Sequence, residues 1–346
     1  MSASARRRMR HACAVMAALV VLLAASGCTR TPVTYEPRLA ASPPSKLGGT
    51  VPSQDSSRQA AALMRLAPRA EDPAGYGFDP IAALRHATAI AAFGPRPGGS
   101  PAERQAAEYI AARLRELGYE PRLQEFALPS GLTSVNVIAV ALGRDESRRF
   151  LIGGHIDTKP PSPGANDNAS GCGVVLETAR ILAKNPPPVS VEMVFWGTEE
   201  FIPEGTDSHH LGSRHHLKTL TGQQRDQLVG AVSVDMVGVG SSFHVRTMER
   251  GPQSLRDMML RDARARGTNL TFLKDLGRTG WSDHEPYELH GVPAVWLQWQ
   301  KDPNYHTVRD AAGMLRAAPV RTTGEFLVGF IYRLDEERIA RLDADR

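Results

Sequence analysis

Five side chains able to bind a metal recur in order along the second half of the chain, each inside a short motif. They are His155 in Gly-Gly-His-Ile-Asp, Asp167 in Asn-Asp-Asn-Ala-Ser-Gly, Glu200 in Gly-Thr-Glu-Glu, Asp235 in Val-Asp-Met-Val-Gly and His306 in Tyr-His-Thr. Carboxylate and imidazole donors without a thiolate suit zinc in a catalytic site. Five protein ligands exceed what one catalytic zinc takes, and they suit two ions that share a carboxylate. The chemistry expected is metal-assisted hydrolysis.

Each motif taken alone has a plainer reading. His155 and Asp157 stand two apart, so the carboxylate can take the imidazole N–H that faces away from a metal and so fix the ligating tautomer; a surface loop explains the same pair. Asp167 lies in a turn that leads into a helix, with room to offer one oxygen to each ion, or simply to serve the turn. Glu199 and Glu200 are adjacent just past an apolar strand. One as ligand (Glu200) and one as general base toward the attacking water (Glu199) relieves their repulsion; a solvated acidic pair is the alternative. Asp235 sits among Val232, Val234, Val237 and Val239 and needs a partner if buried, either a metal or an arginine. Cys172 reads as a small buried apolar residue rather than a ligand or nucleophile.

The elements that must position these residues are legible. Asp79-Pro80 opens a helix through Ile90, and Ser100-Pro101 opens another, with Glu103 at the capping-box position and Gly118 as its stop. Strands are expected at 121–126, 134–142, 149–153, 189–196, 231–236 and 294–298. Helices are expected at 170–184, 255–266, 283–290 and 319–338. The fold class is α/β, a mainly parallel central sheet, mixed at the edge, sandwiched by helices. His155, Glu199-Glu200 and Asp235 each follow the apolar run of a strand. Ligands in such sheets gather outside the strands' carboxyl ends, so distance in sequence does not keep these residues apart.

The 346 residues are 42% hydrophobic and 23% charged, an ordinary globular composition. The formal charge of +4 resides in Arg6, Arg7, Arg8 and Arg10; without those four, 37 basic residues face 37 acidic ones. A nucleic-acid partner therefore loses its electrostatic support. The basic start, the apolar run 12–25 and Ser26-Gly27-Cys28 read as an export signal over residues 1–27. Small residues before Cys28 are similar to a bacterial lipoprotein processing site, although Ala25 stands where leucine is usual; a cleaved signal or an uncleaved anchor are the alternatives. Residues 28–77 read as a flexible tether with a short helix near 57–66, and residues 78–346 as one α/β domain. Cys13 goes with the signal and Cys28 with a lipid, which leaves Cys172 alone and the domain without a disulfide.

In order, GGHIDT, NDNASG, GTEE, DMVG, SDHEPY and YHT, preceded by FGPRPGGSPAERQAAEYIAARLRELGYE, resemble the co-catalytic zinc exopeptidases of metallopeptidase family twenty-eight. That family contains bacterial leucyl-type aminopeptidases and, as a branch, glutaminyl-peptide cyclotransferases. The resemblance covers roughly residues 78–332. It implies that His155 and Asp235 hold one zinc, Glu200 and His306 the other, and Asp167 both. It also implies that Glu199 is the general base and that Asp157 orients His155. Asn168 departs from the Asp-Asp pair common after a cis bond at this place. The segment FIPEGTDSHHL is longer than the turn of many aminopeptidases and closer to that of the cyclotransferases. Peptide or protein N-termini are the implied substrates, with a one-zinc cyclotransferase and a non-catalytic surface-binding module as alternatives. His209 and His210 are expected in the loop near the mouth, His215 and His216 on a helix, and His284 in a packing or pocket role. Trp281, Tyr287, Trp296 and Trp299 are candidates for the specificity pocket or for the core.

Overall fold

A computed structural model of the chain describes residues 76–200, 209–276 and 279–346. The export signal, nearly all of the tether with its short helix, and the greater part of the 201–211 segment lie outside the described residues.

Helix α1, Pro80–Ala91, starts where Asp79 accepts the Ile81 N–H at 2.8 Å, with proline in its first turn. Helix α2, Pro101–Glu116, is capped by Ser100, whose hydroxyl accepts the Glu103 N–H. Glu103 does not complete a capping box. Its carboxylate turns inward, is 1% exposed, and accepts from Gly99 N–H, Ser134 Oγ and Thr198 N–H at 2.7, 2.8 and 3.1 Å. Burial, then Asp157, pushes its pKa up to about 8.

The strands are β1 Arg122–Ala127, β2 Thr133–Ala141, β3 Asp145–His155, β4 Val189–Trp196, β5 Leu228–Val234, β6 Ser242–Thr247, β7 Leu270–Lys274 and β8 Ala294–Gln300. They form one sheet in the order β1-β2-β4-β3-β5-β8-β6-β7. Its centre, β4-β3-β5-β8, is parallel, while β1, β2 and β6 enter antiparallel at the flanks. The other helices are α3 Ser170–Lys184, α4 Leu211–Thr219, α5 Gly222–Gln227, α6 Ser254–Ala265, α7 His284–Leu289, α8 Ala317–Ile331 and α9 Glu336–Ala344.

Side-chain alternation along β3 fills both faces of the sheet. Phe150 and Ile152 join the core beneath α1, α3 and α8, and Leu151 joins a second core with Trp196, Leu217 and Tyr287. At Gly173 a Cβ would stand 2.3 Å from the Ala83 carbonyl oxygen, so only glycine lets α3 pack this closely on α1.

The expected helix 319–338 is two helices. Chain turns at Tyr332–Leu334, and Asp335 caps α9 by accepting the Arg338 N–H. Strands β6 and β7 have no counterpart in the sequence reading. Both are short, lie at the sheet's flank, and carry polar residues in place of an apolar run. Among the described residues no helix is long and apolar enough to cross a membrane.

Candidate metal centre

The four parallel central strands end on one side, and the chemistry-bearing residues sit there. His155 is the last residue of β3, Glu199 and Glu200 follow β4 after Gly197-Thr198, and Asp235 follows β5. Asp167 lies in a kinked, non-helical stretch of Ala165–Ala169, before α3, and His306 in the loop after β8. Thr198, Met236 and His306 have φ of 50°, 55° and 57°, a left-handed backbone that costs a residue with a side chain about 1–3 kcal/mol. All three adjoin or belong to the site, where the surrounding packing holds them.

The five expected ligands converge. His155 Nε2 lies 3.2 Å from Asp167 Oδ1 and 3.5 Å from Asp235 Oδ1. His306 Nε2 lies 3.1 Å from Asp167 Oδ2 and 2.9 Å from Glu200 Oε1. Asp167 thus turns one oxygen to each histidine. Atoms able to bind a metal fall into two groups, each within 4.8 Å: His155 and Asp235 with Glu199, and Asp167, Glu200 and His306.

His155 Nδ1 faces the Asp157 backbone carbonyl at 3.1 Å, which puts the proton on Nδ1 and leaves Nε2 as the lone-pair nitrogen. The Asp157 carboxylate is 3.6 Å from that ring and is engaged elsewhere: its two oxygens accept the Glu199 and Glu200 N–H groups at 2.8 and 3.0 Å. The expected contact from this carboxylate to His155 is therefore made by the same residue's carbonyl, and the side chain fixes the Glu199-Glu200 backbone. Ser282 Oγ donates to Asp235 Oδ2 at 2.8 Å. Asn168 donates to Val234 O and accepts from Gly171 N–H, across a cis Asp167–Asn168 bond.

Burial opposes ionisation of Asp167, but the two imidazoles outweigh it and hold its carboxyl well below the usual aspartate range. Burial pushes Glu199 up to about 8 and Glu200 up to about 7, the latter helped by Asp167. Burial also works against the histidines, yet the surrounding carboxylates raise His155 well above its ordinary value and His306 to about 9. These clustered carboxylates and imidazoles could hold metal. His155 Nε2 and Asp235 Oδ1 are buried and have no hydrogen-bond partner. This donor set of oxygen and imidazole nitrogen fits zinc.

Several contributors escaped the sequence reading. Arg96, fully buried, donates to the carbonyls of Ile156, Ile90, Gly94, Pro163 and Gly164 and so staples the loop between His155 and Asp167. Asp310 accepts the N–H groups of Asn166 and Asp167. His210, expected at the loop mouth, is 1% exposed and faces Glu199, whereas His209 borders the cavity. No spacing in the sequence marks either Arg96 or Asp310, because both act through backbone contacts far along the chain.

His215 and His216 lie on α4, the latter against Tyr287 Oη at 2.8 Å. His284 packs with Asp275 at 3.2 Å. Cys172 is buried, donates toward the His155 carbonyl, and is pushed by burial up to about 12, an inert thiol. A cavity of about 600 Å³ opens over the cluster, and Trp281, Trp296 and Trp299 border it. Tyr287 does not; it is a core residue that accepts from Trp196 Nε1.

The profile of peptidase family M28 matches residues 136–331, more than half of the chain. The chain belongs to peptidase family M28. Among relatives in the family are aminopeptidase YwaD of Bacillus subtilis, 26% identical over 58% of this chain and 44% of that protein, and the probable lipoprotein aminopeptidase LpqL of Mycobacterium tuberculosis, 31% identical over 47% and 34%. The chain thus matches less than half the length of these relatives. Similar solved structures include BSAP, a zinc aminopeptidase from Bacillus subtilis (TM-score 0.68, 18% identity, 76% of this chain and 97% of that one). A glutaminyl cyclase of Porphyromonas gingivalis is also similar (TM-score 0.63, 25% identity, 73% and 98%). These M28 folds share the α/β sheet described above, and zinc is the metal that the family and its neighbours support.

Proposed function

We propose that the chain is an aminopeptidase that binds two zinc ions and hydrolyses the first peptide bond of peptides or proteins. The observation that carries this reading is Asp167, whose Oδ1 faces His155 and whose Oδ2 faces His306. In this reading His155 and Asp235 hold one ion, Glu200 and His306 the other, and Asp167 both. Zinc bound there supplies Lewis acidity and a water acidic enough to lose its proton near neutral pH. The Nδ1 contact to the Asp157 carbonyl keeps the His155 ring in the ligating tautomer. Asp157 holds Glu199 and Glu200 by their backbone N–H groups. Glu199 takes the proton from the attacking water and returns it to the leaving amine. Trp281, Trp296 and Trp299 offer apolar surface to the terminal residue's side chain.

Replacing Glu199 with Gln is expected to lower kcat about 10²–10⁴-fold on amino-acid anilides with zinc content unchanged. Undiminished turnover would remove Glu199 from the reaction. A second reading, a one-zinc glutaminyl-peptide cyclotransferase, is favoured by the similarity to the Porphyromonas gingivalis enzyme. Cyclisation of N-terminal glutamine without release of amino acid from anilides would select it.

We also propose export with a lipid on Cys28. The processing-site residues support it, and one relative is described as a lipoprotein aminopeptidase. That lipid is the membrane contact in this account.

A further inference from the structure

Glu199 has a buried neighbour that the proposed reaction leaves unused. His210 Nε2 lies 3.2 Å from Glu199 Oε1. On the other side of the ring, Nδ1 lies 2.7 Å from Glu285 Oε2, an ion-pair contact rather than an in-line hydrogen bond. Arg214 Nη2 donates to the second Glu285 oxygen at 2.9 Å. His210, Glu199 and Glu285 are 1%, 6% and 2% exposed, so water does not dilute these contacts.

Both ring nitrogens face carboxylates. An imidazolium can offer an N–H to each of them. Burial opposes that charge, but Glu199 and Glu285 raise the ring's pKa to about 10.

The backbone aims the ring. His210 stands at the start of α4 with φ 56° and ψ 35°, a left-handed conformation unfavourable for histidine. It is pinned there by two bonds, His210 N–H to Glu199 O at 2.9 Å and Leu211 N–H to Thr198 O at 2.8 Å. With Oε1 of Glu199 engaged by His210, Oε2 is left facing His155 Nε2 at 3.9 Å, toward the ligand cluster.

We propose that His210 is a positioning residue for the general base: anchored by Glu285 and Arg214, it holds the Glu199 carboxylate turned so that Oε2 meets the attacking water. The inference rests on the reading of Glu199 as that base.

The test uses the full-length, zinc-loaded protein on a leucine anilide. His210→Leu is expected to lower kcat about 10–100-fold while KM and zinc per chain stay unchanged. His210→Gln, whose amide still donates to Oε1, is expected to recover part of that loss. Glu285→Gln keeps the side chain's shape and, compared at equal folded content, is expected to lower kcat in the same direction. A His210→Leu kcat within threefold of wild type overturns the proposal. So does a loss that tracks lost zinc or lost folding, or a His210→Gln variant no better than His210→Leu. Wild-type protein inert on the anilide overturns the aminopeptidase reading as well. Active wild type, inactive Glu199→Gln and unaffected His210→Leu overturn this inference alone.

Discussion

Asp157→Asn separates a residue that presents the Glu199-Glu200 pair from one that merely fills space. The carboxylate is fully buried and accepts two backbone N–H groups, from Glu199 at 2.8 Å and Glu200 at 3.0 Å. An asparagine of the same shape accepts one and turns an N–H toward the other. A hydrogen bond to a charged group is worth about 1.5–3 kcal/mol, and an unsatisfied buried donor costs about 1–3 kcal/mol. A total near 3 kcal/mol corresponds to roughly a hundredfold in rate if it falls on the transition state. Falling on global stability instead, it would lower the melting temperature by roughly 6–12 °C. Because both N–H groups belong to the proposed base and its neighbouring ligand, the loss is expected mainly in kcat/KM on an amino-acid anilide, with a smaller fall in melting temperature. Activity within threefold of wild type at full zinc content would refute the reasoning.

Two further outcomes are expected elsewhere in the chain. Asp275 is buried between Arg246 and His284; burial opposes its charge, but these partners outweigh it and hold its carboxyl below the usual range. A depressed folded-state pKa means stability present above the unfolded value, near 3.9, and lost as pH falls through the folded one. Asp275→Asn is therefore expected to destabilise by about 3–5 kcal/mol at pH 7, with the gap to wild type closing below about pH 4, as read by thermal melts across pH; a pH-independent gap would refute the ion pair. Cys28→Ser is expected to move the protein from the membrane fraction to the soluble one and to abolish labelling by a tagged fatty acid. Unchanged fractionation would contradict the anchor.

The sheet's parallel centre is legible because β3, β4, β5 and β8 each contain a largely apolar stretch, as strands covered on both faces do. Helix α3 is legible because a Gly-rich turn opens it and Pro186 follows its end. Strands β6 and β7 are not: both are short, β7 is the edge strand, and β6 beside it carries Ser242, His244, Arg246 and Thr247 among its apolar residues. The ligand residues announce themselves by type and by their place after strands. Their supports do not. Glu103 carries a capping-box signature yet spends its carboxylate on Thr198, ninety-five residues on. Asp157 differs from expectation in a related way, because a carboxylate's partner cannot be read from spacing when backbone N–H groups from another strand's end compete for it. His210 stands among other histidines, and only the return of the chain at Leu211, bonded to Thr198, turns it inward.

The central claim is that one end of the sheet binds a pair of ions through a shared Asp167. Titrating metal-free protein with zinc, with bound metal counted by elemental analysis, tests it most directly. The account predicts two ions per chain, and loss of bound zinc when Asp167 is replaced by Ala. One ion or none in the wild type, or two still bound in Asp167→Ala, would contradict it.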